Sequence, residues 1–310
     1  YLATAEAQRS IRLSLIAEGA NAWLNLAADR ERLALAKATL HNQEAYHRLI
    51  QQRVAGGIAA MVEELSARTG VDSARVDVAR FTGQIQQSMQ TLQLLVGSSL
   101  RDELLPERLT AVTTMQQLPS GISSTVLLRR PDIQAAEHRL KAANASIGAA
   151  RAAYFPRIGL SASLGTASAD LSGLFKGGSG VWSFTPQISV PLFDYGAVKA
   201  GVAVSKADRT IAVAQYEKAI QVAFREVSDV MTLQTTMQDQ VVAQQSLTDA
   251  ANESYRISQQ RYELGVDSYL AVLVAQRYSY TAQQTLVSTR LNQYAIHATV
   301  YKALGGSLNP

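Results

Sequence analysis

Proline is absent from two very long stretches of this chain, and that absence constrains the fold more than any other feature. None occurs in residues 1–105 or 192–309; the prolines are at positions 106, 119, 131, 156, 186, 191 and 310. Because proline breaks the interior of an α-helix, both stretches can hold long helices. The low share of charged residues, 17%, is typical of long helices with narrow apolar seams rather than of a compact enzyme.

The sequence pattern predicts five helices. Pro131 and Asp132 favour a helix start, since proline suits the first turn and an acid faces the positive end of the helix dipole. Gly57 and Gly265 interrupt the pattern and are expected to form tight turns between helices. The fourth helix would be on the order of 100 Å long at 1.5 Å per residue. The predicted helices cover about residues 1–54, 59–97, 131–153, 195–262 and 268–304.

Apolar residues in the long helices recur at spacings of three and four. This spacing predicts a narrow coiled-coil seam with a left-handed supercoil. The positions on both flanks of the seam are mostly polar, so we expect these helices to meet water on two sides. The predicted seam residues are Leu15, Gly19, Ala22, Leu26, Leu33 and Leu40 in the first helix and Ala223, Val227, Val230, Met237 and Val241 in the fourth.

The chain also repeats itself at a constant offset of 208 residues, without a gap, over about ninety residues. Gln51-Gln52-Arg53 aligns with Gln259-Gln260-Arg261, and Gly57 aligns with Gly265. Further matches join Leu65 to Leu273, Ala67 to Ala275, Gly97 to Gly305 and Ser99-Leu100 to Ser307-Leu308. The chain therefore contains two structural repeats.

Strict alternation replaces the helical pattern between residues 157 and 192. Each of the two alternating runs has about the nine to eleven residues of a tilted transmembrane strand, apolar on one face and small and polar on the other. Tyr154, Phe155, Phe193 and Trp182 are suited to aromatic-girdle positions. We expect Trp182, Phe184, Ile188 and Val190 to contact lipid, and Ser183, Thr185, Gln187 and Ser189 to line a lumen.

An ordinary half-buried hairpin on a soluble core shows the same alternation, so the pattern alone leaves both alternatives open. Two features favour the membrane. The polar face has almost no charge, and no neighbouring segment supplies strands to complete a soluble sheet. Since a single hairpin is marginal in water and cannot close a barrel, strands from other chains are expected to complete it.

Nucleic-acid binding and helical membrane spanning are both disfavoured by composition. The net charge is only +4 and the basic residues are scattered, whereas nucleic-acid binding needs a basic stripe. No segment approaches the roughly 20 apolar residues of a transmembrane helix. The absence of cysteine fits a periplasmic or surface-exposed protein, although it constrains the location little.

Catalytic and metal signals are weak throughout. His41 and His47 are six residues apart and do not share a helix face, while His138 and His297 stand alone. Residues 176–180 lack the spacing and the strand-to-helix context of a phosphate loop. Glu63 and Glu64 are adjacent on a helix and point apart. We therefore expect no enzyme activity, no cofactor and no metal site.

Several motifs resemble those of the TolC/OprM-like outer-membrane factors. Leu118-Pro119-Ser120-Gly121-Ile122-Ser123 and Leu128-Arg129-Arg130-Pro131-Asp132-Ile133 resemble the signature that precedes a helix in that family. Residues 142–156 resemble the stretch that leads into the family's second hairpin. The match continues through Pro191-Leu192-Phe193, Gly196, Arg261-Tyr262, Gly265-Val266, Ala275-Gln276-Arg277 and residues 301–306.

This resemblance implies a mainly α fold with a transmembrane β-hairpin. Three protomers would form a twelve-stranded barrel in the outer membrane, continuous with an α-helical barrel across the periplasm. It further implies docking to a periplasmic adaptor and an inner-membrane pump of the resistance-nodulation-division (RND) type, which exports drugs or similar compounds. The turns at Gly57, Gly265 and Val266 would then be adaptor-docking tips. A type I secretion or metal-export channel and a soluble coiled-coil scaffold remain the alternatives.

The helix that follows Gly265 carries a stripe in which Asp267, Leu270, Val274 and Arg277 are spaced by three, four and three residues. The resemblance implies that such tips converge and close the tunnel, so these residues are the predicted periplasmic gate. Arg277 would pair with an acid, for which Glu63 or Glu64 is a candidate. Members of that family often carry an acid where this chain has Val274, so the resemblance does not imply an acidic, cation-selecting ring at that level. The alternative is that Leu270 and Val274 pack between helices.

The domain organisation follows from these segments. We expect first-repeat helices in 1–97, a connector in 98–130, a helix in 131–153, the hairpin in 154–194 and second-repeat helices in 195–310. By the offset of 208, residues 131–192 would have a counterpart about 16 to 77 residues before Tyr1. We therefore expect the functional protein to begin upstream of Tyr1.

Overall fold

The computed structural model describes residues 1–109 and 124–306. Every predicted helix is present, and each observed end lies within two residues of its predicted position. The first part of the signature, residues 118–123, lies outside the described residues. The helices are α1 Leu2–Ala55, α2 Met61–Val96, α3 Pro131–Ala152, α4 Ala197–Glu263 and α5 Tyr269–Ala303, and the strands are β1 Arg157–Thr166 and β2 Gly180–Ser189.

The chain forms two compact units. The hairpin unit consists of residues 1–5 and 132–220, and the helical unit consists of residues 6–131 and 221–310. The hairpin unit therefore contains α3, both strands and the beginning of α4. The helical unit contains nearly all of α1, together with α2, the rest of α4 and α5.

Among its described residues, the helical unit has three small apolar clusters rather than one large core. The first lies between α4 and α5 and includes Val230, Met237, Ile296 and Val300. The second joins α1 to α5, and the third joins α1 to α2; each also takes a residue that follows α2, Leu109 and Leu105 respectively. The Trp23 indole N–H donates to the carbonyl of Leu104 at 2.9 Å, which fixes that segment on α1.

The buried seam of α1 follows a heptad of small and polar residues. Val230 and Met237 confirm the prediction for α4, but the prediction for α1 was partly wrong, since Leu15 is 46% exposed and Leu33 is half-buried. Ala22 and Leu26 are buried as predicted, and small side chains such as Ala36 allow the helices to approach closely. The α1 heptad consists of Ala22, Asp29, Ala36, Gln43 and Ile50, all buried.

The two strands form an antiparallel sheet of their own. Its register pairs apolar residues with apolar residues: Ile158 with Ile188, Ala162 with Phe184, and Leu164 with Trp182. None of the helices in the described residues contains a stretch hydrophobic enough to span a bilayer.

Candidate functional site

The two helix tips of the helical unit are closed by the same backbone hydrogen bonds. In the first turn the N–H of Gly57 donates to the carbonyl of Val54 at 2.9 Å, and Ile58 donates to Arg53 at 2.8 Å. In the second turn Gly265 donates to Tyr262 and Val266 to Arg261, each at 2.9 Å. These are the two bonds of a Schellman motif, and they recur at the offset of 208 residues.

Glycine is needed at the centre of each turn because φ is positive there. The φ angle is 71° at Gly57 and 74° at Gly265, in the left-handed region that side chains with a Cβ rarely adopt. The predicted tip turns are thus present, and the repeat found in the sequence extends to the detailed geometry of the chain reversal.

The side chains around the two tips differ, although the backbones match. In the second turn the Arg261 guanidinium donates to both carboxylate oxygens of Asp267, at 2.6 and 3.1 Å. The position equivalent to Asp267 in the first turn is Ala59, so the first turn has no such bridge. Arg53, the equivalent of Arg261, instead donates to the Tyr262 hydroxyl at 2.7 Å and lies 5.3 Å from the centre of that ring.

A cluster of three tyrosines joins α1 to the second tip. The rings of Tyr46 and Tyr269 stack with centroids 4.4 Å apart, and Tyr262 lies against both rings at tilted angles. Burial raises the pKa of Tyr46 and of Tyr269 above the ordinary value of a phenol. Together with the hydrogen bond from Arg53, this cluster fastens the second tip to α1. The sequence analysis did not identify the cluster, since its members come from three helices and share no spacing.

The apolar residues of the predicted gate are exposed on the surface of this chain. Leu270 is 68% exposed and Val274 is 62% exposed. They therefore do not pack between helices of their own chain. Asp267 precedes the first residue of α5 and is engaged by Arg261, so it belongs to the turn rather than to the α5 stripe.

Arg277 is exposed, and the described residues contain no ion pair between it and Glu63 or Glu64. The Glu64 carboxylate instead accepts a hydrogen bond of 3.4 Å from the Gln51 side chain. The pairing suggested for Arg277 is thus not formed within one chain.

A cavity of about 300 Å³ with polar and apolar walls lies between α1, α2 and α5, on the tip side of the helical unit. At its wall the Gln43 amide donates to the Gln276 side chain at 2.8 Å. The Tyr280 hydroxyl donates to Asp77 at 2.9 Å, and Arg80 donates to the other oxygen of Asp77 at 2.7 Å. Hydrogen bonds therefore help to connect the helices around this cavity.

The strand residues predicted to contact lipid and those predicted to line a lumen lie on opposite faces of the hairpin. Trp182, Phe184 and Ile188 lie on the apolar face, whereas Val190 follows the last residue of β2. On the other face Ser183 pairs with Ser163, and their hydroxyls are 2.7 Å apart. Thr185, Gln187 and Ser189 pair on that same face with Ser161, Gly159 and Arg157.

Every residue of both strands is exposed in the single chain, including Trp182 at 76% and Ile188 at 69%. Among the described residues, no cluster of three His, Cys, Asp or Glu side chains is placed to hold a metal ion.

The chain belongs to the outer membrane efflux protein family, whose model matches residues 1–98 and 122–306. It is therefore an outer-membrane protein, built mainly of α-helices with a β-hairpin. Among solved structures, it is similar to the outer-membrane channel MtrE of Neisseria gonorrhoeae in its open state. The two are 36% identical with a TM-score of 0.81, and the match covers 99% of this chain and 69% of that one.

Curated relatives are named as outer-membrane proteins of efflux pumps. The chain is 46% identical to the toluene efflux pump outer membrane protein TtgF of Pseudomonas putida, over 99% of this chain. It is 41% identical to the outer membrane protein OprJ of Pseudomonas aeruginosa, again over 99% of its length. The chain spans 64% of the length of each of these two relatives.

Proposed function

We propose that this chain is part of the passive outer-membrane exit duct of a tripartite efflux pump. Three copies assemble around one axis, the hairpins forming a barrel in the membrane and the long helices a periplasmic tunnel. The observation that carries the proposal is the hairpin with both faces exposed and its apolar side chains on one face. A sheet of two strands is marginal in water, so membrane and further strands must cover it.

The second-repeat tips close this duct in its resting state. The exposure of Leu270 and Val274 supports this role, since large apolar side chains that their own chain leaves uncovered are available to meet symmetry copies at the axis. A ring of such side chains resists wetting and blocks ion flow without any charged group.

The gate is tested by replacing both Leu270 and Val274 with alanine in the full-length protein. We expect a higher single-channel conductance in planar bilayers and a melting temperature close to that of the wild type. The matched control is Val242→Ala, which shortens a side chain of 60% exposure within the body of α4 and should leave the conductance unchanged. Unchanged conductance with a lowered melting temperature would make the two residues packing residues and place the gate elsewhere.

The partners are a periplasmic adaptor and an inner-membrane RND pump, with the adaptor docking at the turns around Gly57, Gly265 and Val266. Their matching backbone geometry supports this, because one adaptor hairpin could engage two equivalent tips. The names of relatives that export toluene or antibiotics support small organic compounds as the exported class. The chain acts as a conduit and carries out no catalysis.

The partner assignment is tested by cross-linking in cells. A photo-reactive side chain at Val266 should trap an adaptor protein, whereas the same group at Val242 should not. Loss of the gene should also raise sensitivity to toluene, with restoration by the wild-type copy. Cross-linking to a type I secretion adaptor would favour that class of channel over drug efflux.

A further inference from the structure

Arg157 is the one charged residue within the two ten-residue strands. The register pairs it with Ser189, on the face that also carries Ser161, Ser163 and Gln187. Its side chain therefore belongs to the polar face of the hairpin and not to the apolar one. It lies at the end of the hairpin where the strands meet α3 and α4.

No acid neutralises Arg157 in the described part of the chain. It makes no ion pair there, and its neighbours on the polar face are uncharged. Asp194, five residues after the strand partner Ser189, instead accepts the backbone N–H groups of Gly196 and Val198 at 3.0 and 2.9 Å. Gly159, two residues further along the same face, has no side chain to cover the guanidinium.

We propose that Arg157 is a charge-selecting residue of the duct, which makes the pore favour anions over cations at the helix end of the hairpin. This inference rests on the proposed function, in which the polar face lines the lumen of a trimer. Three guanidinium groups then surround one cross-section of the pore. Since arginine keeps its charge at any physiological pH, the ring stays positive throughout.

Fixed charges in a pore act by changing the local concentration of mobile ions. Their reach is the Debye length, about 10 Å at 0.1 M salt and about 3 Å at 1 M. An arginine ring should therefore favour chloride over potassium in dilute salt and lose most of that preference in concentrated salt. A purely structural contribution of Arg157 would not follow ionic strength in this way.

The test is the reversal potential of the reconstituted full-length protein under a KCl gradient. At about 0.1 M salt, Arg157→Gln should lower the chloride-to-potassium permeability ratio by about twofold or more, and Arg157→Glu should lower it further. Arg157→Lys should keep the wild-type ratio, because the charge is retained. The control Lys176→Gln removes a cation from the loop between the strands and should change little.

Equal permeability ratios for the wild type and Arg157→Gln in dilute salt would overturn the inference. A change in the permeability ratio that is equally large at 1 M salt would also overturn it, since a screened charge cannot produce such a change. A wild-type protein that forms no channel at all would instead contradict the proposed function.

Discussion

The second helix tip is held by one ion pair that the first tip lacks. Arg261 and Asp267 are six residues apart, and both guanidinium-to-carboxylate bonds cross the turn. Both side chains are partly exposed, so salt and water weaken the attraction between them. The pair nevertheless makes the second turn sensitive to acid, because the Arg261 hydrogen bond lowers the pKa of Asp267.

This lowered pKa of Asp267 determines in which direction channel opening should change with pH. The contribution of Asp267 to the closed turn is complete above the ordinary pKa of an aspartate and is lost as the pH falls through the lowered value. We expect wild-type channels to open more often at about pH 3 than at about pH 6. Asp267→Asn should open more often already at pH 6 and respond less to acid.

The matched control for this prediction is Glu253→Gln. Glu253 also accepts two hydrogen bonds from an arginine, Arg256, and its pKa is also lowered, but it lies within α4 away from the turn. Single-channel recording at both pH values compares the variants. Equal acid responses in the wild type and in Asp267→Asn would mean that other carboxylates govern the tip.

At this scale the sequence predicted backbone features better than side-chain pairs. Gly57 and Gly265 were correctly placed in turns because a break in the helical pattern needs a residue that tolerates positive φ. The bridge from Arg261 to Asp267 was missed, since the spacing of three and four applies to a helix and Asp267 lies before α5 begins. A pair that spans a turn has no periodic signal.

At the scale of helices, polar residues in the seams set the register. Asp29 lies in the α1 heptad, accepts hydrogen bonds from Arg32 at 3.0 Å and Ser88 at 2.7 Å, and is 7% exposed. Arg32 also donates to Ser288 at 2.9 Å, so one network joins α1, α2 and α5. A one-turn slip would leave these groups buried without partners, which costs more than a slip between apolar residues.

The helix ends could be predicted because proline and glycine act at their own positions, and the repeat could be predicted because its constant offset of 208 residues is visible in the sequence itself. The α1 seam could not be predicted fully. Leucine at positions 33 and 40 fits a helical spacing, but the heptad that packs is carried by Ala36 and Gln43. Which of these two overlapping stripes of α1 is buried depends on the side chains of the neighbouring helices. The sequence of α1 alone does not contain that information.

Two glycines in α2 allow the effect of helix propensity on stability to be measured separately from the effect of packing. A Cβ added at Gly70 would lie 2.8 Å from Gln43 Oε1, whereas one added at Gly83 would meet nothing within 4 Å. Alanine is better than glycine in a helix by about 1 kcal/mol, so Gly83→Ala should raise the melting temperature. Gly70→Ala should gain the same propensity but displace the amide that donates to Gln276, a loss of about 1 kcal/mol or more.

Thermal melting followed by circular dichroism compares the two variants. Gly70→Ala should melt at or below the wild-type temperature, and clearly below Gly83→Ala. If both variants are stabilised equally, the Gln43 amide moves aside at no cost and the polar contacts around the cavity are not rigid.

At the scale of the whole protein, the hairpin carries an apolar face that no other described part of the chain covers. The alternation along the sequence was enough to assign the two faces, because strand geometry alternates strictly and the register then pairs like with like. The strands that complete the sheet could not be predicted, since the chain contains no other strand in its described residues. The face on which a strand residue lies follows from the local alternation of the strand. Closing the sheet requires further strands, which the alternation of one hairpin does not predict.

The assignment of faces predicts opposite effects for the same substitution at adjacent positions of β2. Ile188→Arg places a charge on the apolar face and, because Ile188 is the second-last residue of β2, should cost up to about 1 kcal/mol of folding free energy, the penalty expected near the membrane interface. Gln187→Arg places the same charge on the polar face, opposite Gly159, where the register leaves space, and should be tolerated. The measurement is the folded fraction in phospholipid vesicles across a urea titration. Equal destabilisation by both variants, or a greater loss with Gln187→Arg, would mean that the apolar face does not contact lipid.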